Sequence, residues 1–259
     1  MKCPPVKSLR SIRIAFALST SISIGNTFAD VPNITGVWNR YPEIAPGLTD
    51  PLPPPPIPPL KEPYLKAFKT ELKRRDVAEA HGRALATSTS RCLNEGMPDM
   101  MGAHYSIEFL QTPGQVTVLT EFMMQTRRIY LDETAPPLEE LTPSYNGYSV
   151  GRWDGDVLVV QTTGVREDVP YLGVYGGVPH SAAMKIIERI HLTAKDVLQD
   201  DITVIDEHTL TQPFKYAVGY RRENKDYKIM EYVCDHENNV MRSDGSLQFR
   251  TDPQPKRPP

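Results

Sequence analysis

From residue 105 to residue 234 apolar and polar positions alternate, which is the pattern of half-buried β-strands. After a first strand at Asn33–Asn39, this pattern predicts strands at 105–109, 116–122, 127–131, 148–153, 157–163, 184–192, 198–205, 214–221 and 227–234. Pro113-Gly114 and Asp154-Gly155 are typical of tight turns between antiparallel strands. We therefore expect an all-β fold, an antiparallel barrel or a strongly curved sandwich, and favour the barrel.

The rest of the chain divides into segments of different character. Residues 30–62 contain the first strand and a Pro-rich arm, whose run at 51–59 predicts polyproline II. Residues 63–82 have helical spacing of apolar positions, so we predict one helix there. The antiparallel domain then covers 83–240, and the polar, Pro-rich tail 241–259 is predicted to be disordered.

Residues 1–29 have the composition of a secretory signal peptide. Four basic side chains precede the apolar stretch Ile14–Ile24, and Thr27-Phe28-Ala29 fits a cleavage site before Asp30. The apolar stretch is short for a membrane span. We expect a periplasmic or secreted protein cleaved after Ala29, without stable membrane insertion.

Cleavage changes the charge balance. It would remove four of the 29 basic residues and none of the 32 acidic ones, leaving a net charge of −7. That balance argues against nucleic acid as a partner, because phosphate-backbone binding needs a basic surface. A small-molecule ligand is the expected partner, and the oligomeric state is left open.

Cysteine usage agrees with export. Only Cys92 and Cys234 remain after cleavage, and in an oxidising compartment they are expected to form a disulfide that closes a loop of roughly 140 residues. Two buried free thiols are the alternative. With no His paired nearby, a structural zinc site is not expected.

Two resemblances bear on the fold. Gly36-Val37-Trp38 resembles the lipocalin G-x-W, which begins the first strand of a calycin-like barrel; a buried Trp at a strand start is the alternative.

Blocks over residues 33–240 also resemble a large, mostly uncharacterised family of exported proteobacterial proteins: Arg91-Cys92-Leu93, 109–116 (F-L-Q-T-P-G-Q-V), 127–132 (R-R-I-Y-L-D), 151–156 (G-R-W-D-G-D), Pro179-His180-Ser181 and 231–234 (E-Y-V-C).

The second resemblance implies export and an all-β body, but no reaction. In that family a His often precedes the position of Ser149 and an Asp the position of Thr162. Here those positions hold Tyr148 and Gln161. Any chemistry carried by that His and Asp in relatives would therefore be lost or changed in this chain.

Strand phase selects two candidate charged residues. Glu188 is in phase with the apolar residues of strand 184–192, and Arg127 with those of strand 127–131. Both are predicted to point inward, either as a charged spot on a pocket wall or as a structural ion pair. Asp200-Asp201 and Asp206-Glu207 are interpreted as solvated acids at strand ends, with calcium binding as the alternative.

His180 ends a Gly-rich loop and is a candidate proton shuttle, with a structural role in capping the backbone as the alternative. Four tyrosines are candidates for contact with an aromatic ligand: Tyr105, Tyr148, Tyr171 and Tyr175. The chain has neither a G-x-S-x-G nucleophile elbow nor H-E-x-x-H spacing, so no metal or cofactor is expected.

Together these features predict an exported barrel that acts on a small apolar or aromatic compound by cofactor-free acid–base chemistry. The reaction would be elimination, isomerisation or hydrolysis, with a lyase or isomerase favoured over a hydrolase. His180 would move the proton, Arg127 would anchor an anion, and Glu188 would orient the substrate or serve as the second acid–base group. The alternatives are a non-catalytic small-molecule carrier with the same pocket, and an envelope-interaction protein that uses the Pro-rich arm and helix.

Overall fold

Nine strands of the chain close into a barrel. The computed structural model describes residues 31–41, 56–173, 177–234 and 239–249. The barrel strands are β1 (Gly36–Tyr41), β2 (Ile107–Thr112), β3 (Gln115–Thr120), β4 (Thr126–Leu131), β5 (Tyr148–Asp154), β6 (Val157–Thr163), β7 (Lys185–Ala194), β8 (Val197–Ile205) and β9 (Phe214–Arg222). The predicted all-β barrel is confirmed.

The other described elements are small. Helix α1 (Tyr64–Ala80) falls within the predicted segment 63–82, and a separate hairpin joins β10 (Asn239–Met241) to β11 (Leu247–Phe249). Short 3-10 helices cover Thr89–Arg91, Asp99–Gly102, Phe122–Met124 and Leu138–Glu140. No helix in these described ranges is long and apolar enough to cross a membrane.

Strand alternation explains the barrel interior. In β8, residues 198, 200, 202 and 204 are buried and the residues between them are partly exposed, because successive side chains point to opposite faces of a sheet. The other long strands follow the same rule, and their inner faces form one hydrophobic core. Met97, Met100 and Met101, which precede β2, are fully buried members of that core.

Neighbouring strands in the barrel follow chain order, and β1 pairs with β9 to close it. All the pairs are antiparallel except β4 with β5, which is parallel and joins only residues 129–131 to residues 149–151. This pair departs from the predicted antiparallel arrangement. The Pro-rich connection 132–147 brings the chain back along β4, so that β5 runs in the same direction and Ser149 lies opposite Ile129.

Trp38 is completely buried where β1 meets β2 and β9. Its indole Nε1 donates to the carbonyl of Ile34 at 3.0 Å, and the Arg222 guanidinium lies 4.0 Å from the ring centroid. Gly36 allows this stacking, because a Cβ there would lie 2.8 Å from Nη1 of Arg222 and its φ is +135°. The G-x-W sequence therefore begins a strand and buries its Trp.

Two sequence expectations on the last part of the chain are wrong. Residues 227–234 are not a strand, because β9 already pairs with both β8 and β1 and the closed barrel offers no free edge. The tail 241–259 was expected to be disordered, but its residues 241–249 belong to the β10–β11 hairpin, and residues 250–259 lie outside the described residues. Leu247 N–H donates to the Ala84 carbonyl at 2.9 Å, which attaches this hairpin to the chain that follows α1.

Candidate functional site

A polar cluster crosses the barrel interior from β4 to β7. The Arg127 guanidinium donates to Glu188 Oε1 at 2.8 Å, to Thr162 Oγ1 at 2.9 Å and to Ser149 Oγ at 3.0 Å. A second, short contact joins Nη2 to Glu188 Oε2, and the hydroxyls of Ser149 and Thr162 lie 2.8 Å apart. The predicted inward phase of Arg127 and Glu188 is confirmed, and the two groups meet.

This geometry is that of a structural ion pair. Arg127 is 2% exposed and Glu188 is 0% exposed, so both charges have lost their water. Such a pair is tolerable only when hydrogen bonds satisfy the remaining polar atoms, and Ser149 and Thr162 supply them here. Four of the five N–H groups of the guanidinium therefore donate to protein side chains.

Asp200 on β8 extends the cluster and was missed as an inward-facing residue. It is fully buried, and no N–H or O–H group of the described residues donates to either carboxyl oxygen. Burial and the Glu188 charge raise the pKa of Asp200 well above 3.8, against the opposing effect of Arg127. The raised pKa favours the neutral form of Asp200, which is able to donate a hydrogen bond to Glu188, and the residue is buried instead of being the expected solvated strand-end acid.

The structure places His180 in a buried position on the loop before β7. Its Nδ1 lies 2.9 Å from the carbonyl of Ser181, and its Nε2 lies 2.9 Å from the carbonyl of Val169. Within the described ranges no hydrogen bond joins His180 to Arg127 or Glu188. Both ring nitrogens therefore contact backbone carbonyls, as in the alternative structural role.

The candidate tyrosines lie in three different environments. Tyr105 is exposed and stacks on Phe122 with ring centroids 5.0 Å apart. Tyr148 stacks on Tyr130 with centroids 5.1 Å apart. Tyr171 is fully buried, and its hydroxyl has no partner among the described residues. Tyr175 lies outside the described residues, so the predicted set does not form one aromatic wall.

An open cleft of about 340 Å³ lies where β4 and β5 diverge beyond their three paired residues. Its volume is within the usual range for a small-ligand site. Arg128 lies exposed on this cleft, and among the described residues no carboxylate pairs with it. The lining residues are mostly polar or aromatic: Asn94, Thr126, Arg127, Arg128, Tyr130, Ser144, Tyr145, Asn146, Gly147 and Tyr148.

The predicted disulfide between Cys92 and Cys234 is present. It attaches residues 227–234 to the loop before β2. The same segment is held by Glu121, whose Oε1 accepts hydrogen bonds from Met230 N–H at 2.8 Å and from the Tyr227 hydroxyl at 3.0 Å.

No three His, Cys, Asp or Glu side chains of the described ranges converge in an arrangement that could hold a metal ion. Comparison with known proteins adds no assignment: no family model matches the sequence, and no curated protein sequence matches it. The candidate site is therefore argued from the residues themselves.

Proposed function

We propose that this chain is a binding protein for a small aromatic compound with an acidic group, and that the ligand occupies the β4–β5 cleft. The observation that supports this proposal best is the exposed guanidinium of Arg128, which pairs with no carboxylate among the described residues and lies beside the stacked rings of Tyr130 and Tyr148. A guanidinium recognises a carboxylate, and a tyrosine ring offers a face or edge to an aromatic ligand. Binding is favoured over catalysis because Arg127, Glu188 and His180 already bond to the protein.

Isothermal titration with benzoate and with its neutral amide, benzamide, tests this function. We expect benzoate to bind more tightly than benzamide, and Arg128→Gln to weaken benzoate binding by at least about tenfold, since a charge-assisted hydrogen bond is lost. Arg152→Gln is the matched control, because Arg152 is also exposed on the barrel but lies outside the cleft. Equal benzoate affinity in wild type and Arg128→Gln would contradict the proposal.

The second candidate is a cofactor-free acid–base enzyme that acts on a small apolar or aromatic compound, as a lyase or isomerase. The neighbouring carboxyl groups of Asp200 and Glu188 favour it: burial and the Glu188 charge raise the pKa of Asp200 well above 3.8, and a carboxyl that keeps its proton can act as a general acid. His180 would serve as proton shuttle after leaving its two carbonyl partners, and Arg127 would anchor an anionic intermediate. In this case His180→Ala would abolish turnover of an aromatic acid without abolishing its binding, whereas a carrier would show no turnover in the wild type.

We further propose that the chain is exported to the periplasm or medium and that its signal peptide is removed after Ala29. Residues 1–29 lie outside the described residues, so this proposal is supported by their sequence and by the Cys92–Cys234 disulfide. Structural disulfides persist in oxidising compartments and are rare in the cytosol.

A further inference from the structure

A second cavity, of about 390 Å³, lies between helix α1 and the turn of the β10–β11 hairpin. The chain that follows α1 runs along the hairpin, because Leu85 pairs with Ser246 in an antiparallel bridge and Ala86 N–H donates to the Gly245 carbonyl at 3.1 Å. We call this cavity the helix groove. Its lining residues, none of which lines the β4–β5 cleft, are Thr70, Lys73, Arg74, Val77, Ala78, Arg83, Leu85 and Asp244.

The helix changes its chemical character along the groove. Thr70, Arg74 and Ala78 follow one another at intervals of four residues, which places them in one row along α1. Lys73 and Val77 form the neighbouring row. The rise of 1.5 Å per residue separates the level of Lys73 from that of Val77 by about 6 Å. One end of the helix groove is therefore cationic, and the other end, formed by residues 77, 78 and 85, is apolar.

The cationic end has hydrogen-bond donors that the described residues do not use. Lys73 pairs with no carboxylate in the described part of the chain. Arg74 donates to Glu71 through Nε at 2.7 Å and Nη2 at 2.8 Å, whereas its Nη1 extends towards the hairpin, where a Cβ on Gly245 would lie 3.9 Å from it. Glu71 is shared with Arg75, whose Nε lies 2.9 Å from Oε1. One carboxylate thus faces two guanidinium groups, and the charge of Arg74 is only partly compensated.

The one carboxylate among the described lining residues belongs to the hairpin turn. Asp244 Oδ1 accepts hydrogen bonds from Ser246 N–H at 3.0 Å and from the Ser246 hydroxyl at 2.7 Å. Its Oδ2 accepts a hydrogen bond from Arg83 Nη1 at 3.2 Å. Asp244 therefore offsets the charge of Arg83, and the charges of Lys73 and Arg74 leave the helix groove positive.

The apolar end presents hydrocarbon that the described fold leaves in contact with water. Val77 is 47% exposed, although Ala78 beside it is buried. Leu85, from the segment that follows the helix, is also partly exposed. An alkyl chain placed against these side chains would remove apolar surface from water, which is favourable.

We propose that the helix groove binds a medium-length alkanoate, with its carboxylate at Lys73 and Arg74 and its alkyl chain against the apolar end. Ammonium and guanidinium groups form charge-assisted hydrogen bonds with a carboxylate, so the cationic end is complementary to this head group. The volume suits a small ligand, since sites of about 300 to 1,000 Å³ are usual. This ligand is aliphatic, so the site is separate in class as well as in place from the proposed aromatic site of the β4–β5 cleft.

Nuclear magnetic resonance titration of the ¹⁵N-labelled protein with butanoate, hexanoate and octanoate tests the site. The amide signals of Val77, Ala78 and Leu85 should shift, and the affinity should rise about two- to fourfold for each added methylene that becomes buried. Octyltrimethylammonium, which has an alkyl chain of the same length and a positive charge, should bind more weakly than octanoate. Equal affinity for the two octyl compounds, or an affinity that does not depend on chain length, would overturn the proposal.

Variants assign the two ends of the helix groove. Lys73→Gln should weaken octanoate binding by about two- to fivefold, the size of an exposed ion pair, and leave the gain per methylene unchanged. Val77→Asn should reduce the gain per methylene instead. Lys69→Gln is the matched control, because Lys69 is exposed on the same helix but does not line the groove.

All three substitutions are at exposed positions of α1, where a change of side chain has little effect on stability. Arg128→Gln should leave octanoate binding at the helix groove unchanged, so the result does not depend on the function proposed for the β4–β5 cleft. An equal loss of affinity in Lys69→Gln and Lys73→Gln would show a general charge effect instead of a site and would contradict the proposal.

Discussion

At the scale of single residues, Arg127 of β4 dominates the barrel interior because side chains from three other strands accept its hydrogen bonds. Its removal would leave Glu188 buried without a cation, which is the costly way to break an ion pair. We expect Arg127→Met to lower the free energy of unfolding at pH 7 by about 3 to 5 kcal/mol, measured by urea denaturation. Replacing Glu188 with Met as well should restore most of the loss.

Arg128→Met is the matched control for this prediction, because Arg128 is the exposed neighbour on the same strand. A surface substitution of this kind should change the free energy of unfolding by no more than about 0.5 kcal/mol. If Arg127→Met and Arg128→Met gave equal losses, the buried pair would not contribute as described.

Asp200 gives a second prediction, which concerns pH. Its folded-state pKa is raised above 3.8, so its stabilising contribution is complete below that pH and declines as the pH rises towards the folded-state pKa. The wild type should lose about 1.4 kcal/mol of unfolding free energy per pH unit in this window, relative to Asp200→Asn.

Urea denaturation of wild type and Asp200→Asn at pH 4.5, 6 and 7.5 measures this difference. Asp201→Asn removes the same charge from the adjacent residue of the opposite phase and serves as the control. A stability difference between wild type and Asp200→Asn that does not vary with pH would show that Asp200 is not held protonated.

The same residues show what the sequence could predict. Strand alternation predicts that the side chains of Arg127 and Glu188 point to the inner face. The residues two positions before and after Glu188 are isoleucines, and another isoleucine lies two positions after Arg127. Applied to β8, the rule also places Asp200 in phase with Leu198 and Ile202, but two adjacent acidic residues are equally typical of a solvated strand end. The contacts of His180 had no such signal, since loop backbone has no periodicity that could place the carbonyl of Val169.

At the scale of elements, residues 227–234 have the composition of a strand but act as a disulfide-anchored strap. Alternation indicates that a segment could pair, whereas pairing also needs a free strand edge, and barrel closure removes the edges. The segment instead lies against Glu121 and Met124. Sequence pattern could not reveal this, because closure depends on the long-range pairing of β1 with β9.

Loss of the Cys92–Cys234 bond should release this strap. The bond joins residues 142 positions apart, and its removal typically lowers the free energy of unfolding by about 2 to 5 kcal/mol. We expect Cys92→Ser combined with Cys234→Ser to show a loss in this range by urea denaturation. Reduced wild-type protein should show the same loss, and unchanged stability in both samples would contradict the prediction.

At the scale of the whole molecule, the barrel wall is weakest between β4 and β5, which form the one parallel pair among its nine strands. The β4–β5 contact spans three residues on each strand, whereas β7 and β8 pair along most of their length. The open cleft begins where this short contact ends. A gap in the wall there gives a ligand access to polar side chains without requiring a void in the packed interior, which is why the wall is the proposed binding site.

The proposed export concerns the whole chain, and it links the predicted signal peptide to the disulfide. Full-length protein produced in a Gram-negative bacterial host should appear in the periplasmic fraction, begin at Asp30 and contain an oxidised Cys92–Cys234 bond. Intact-mass and peptide mass spectrometry check all three features. A form that begins at Asp30 and lacks residues 1–29 should stay in the cytoplasm with reduced thiols, because the reducing cytosol does not sustain the bond that anchors the strap. An uncleaved full-length product would contradict removal of the signal peptide.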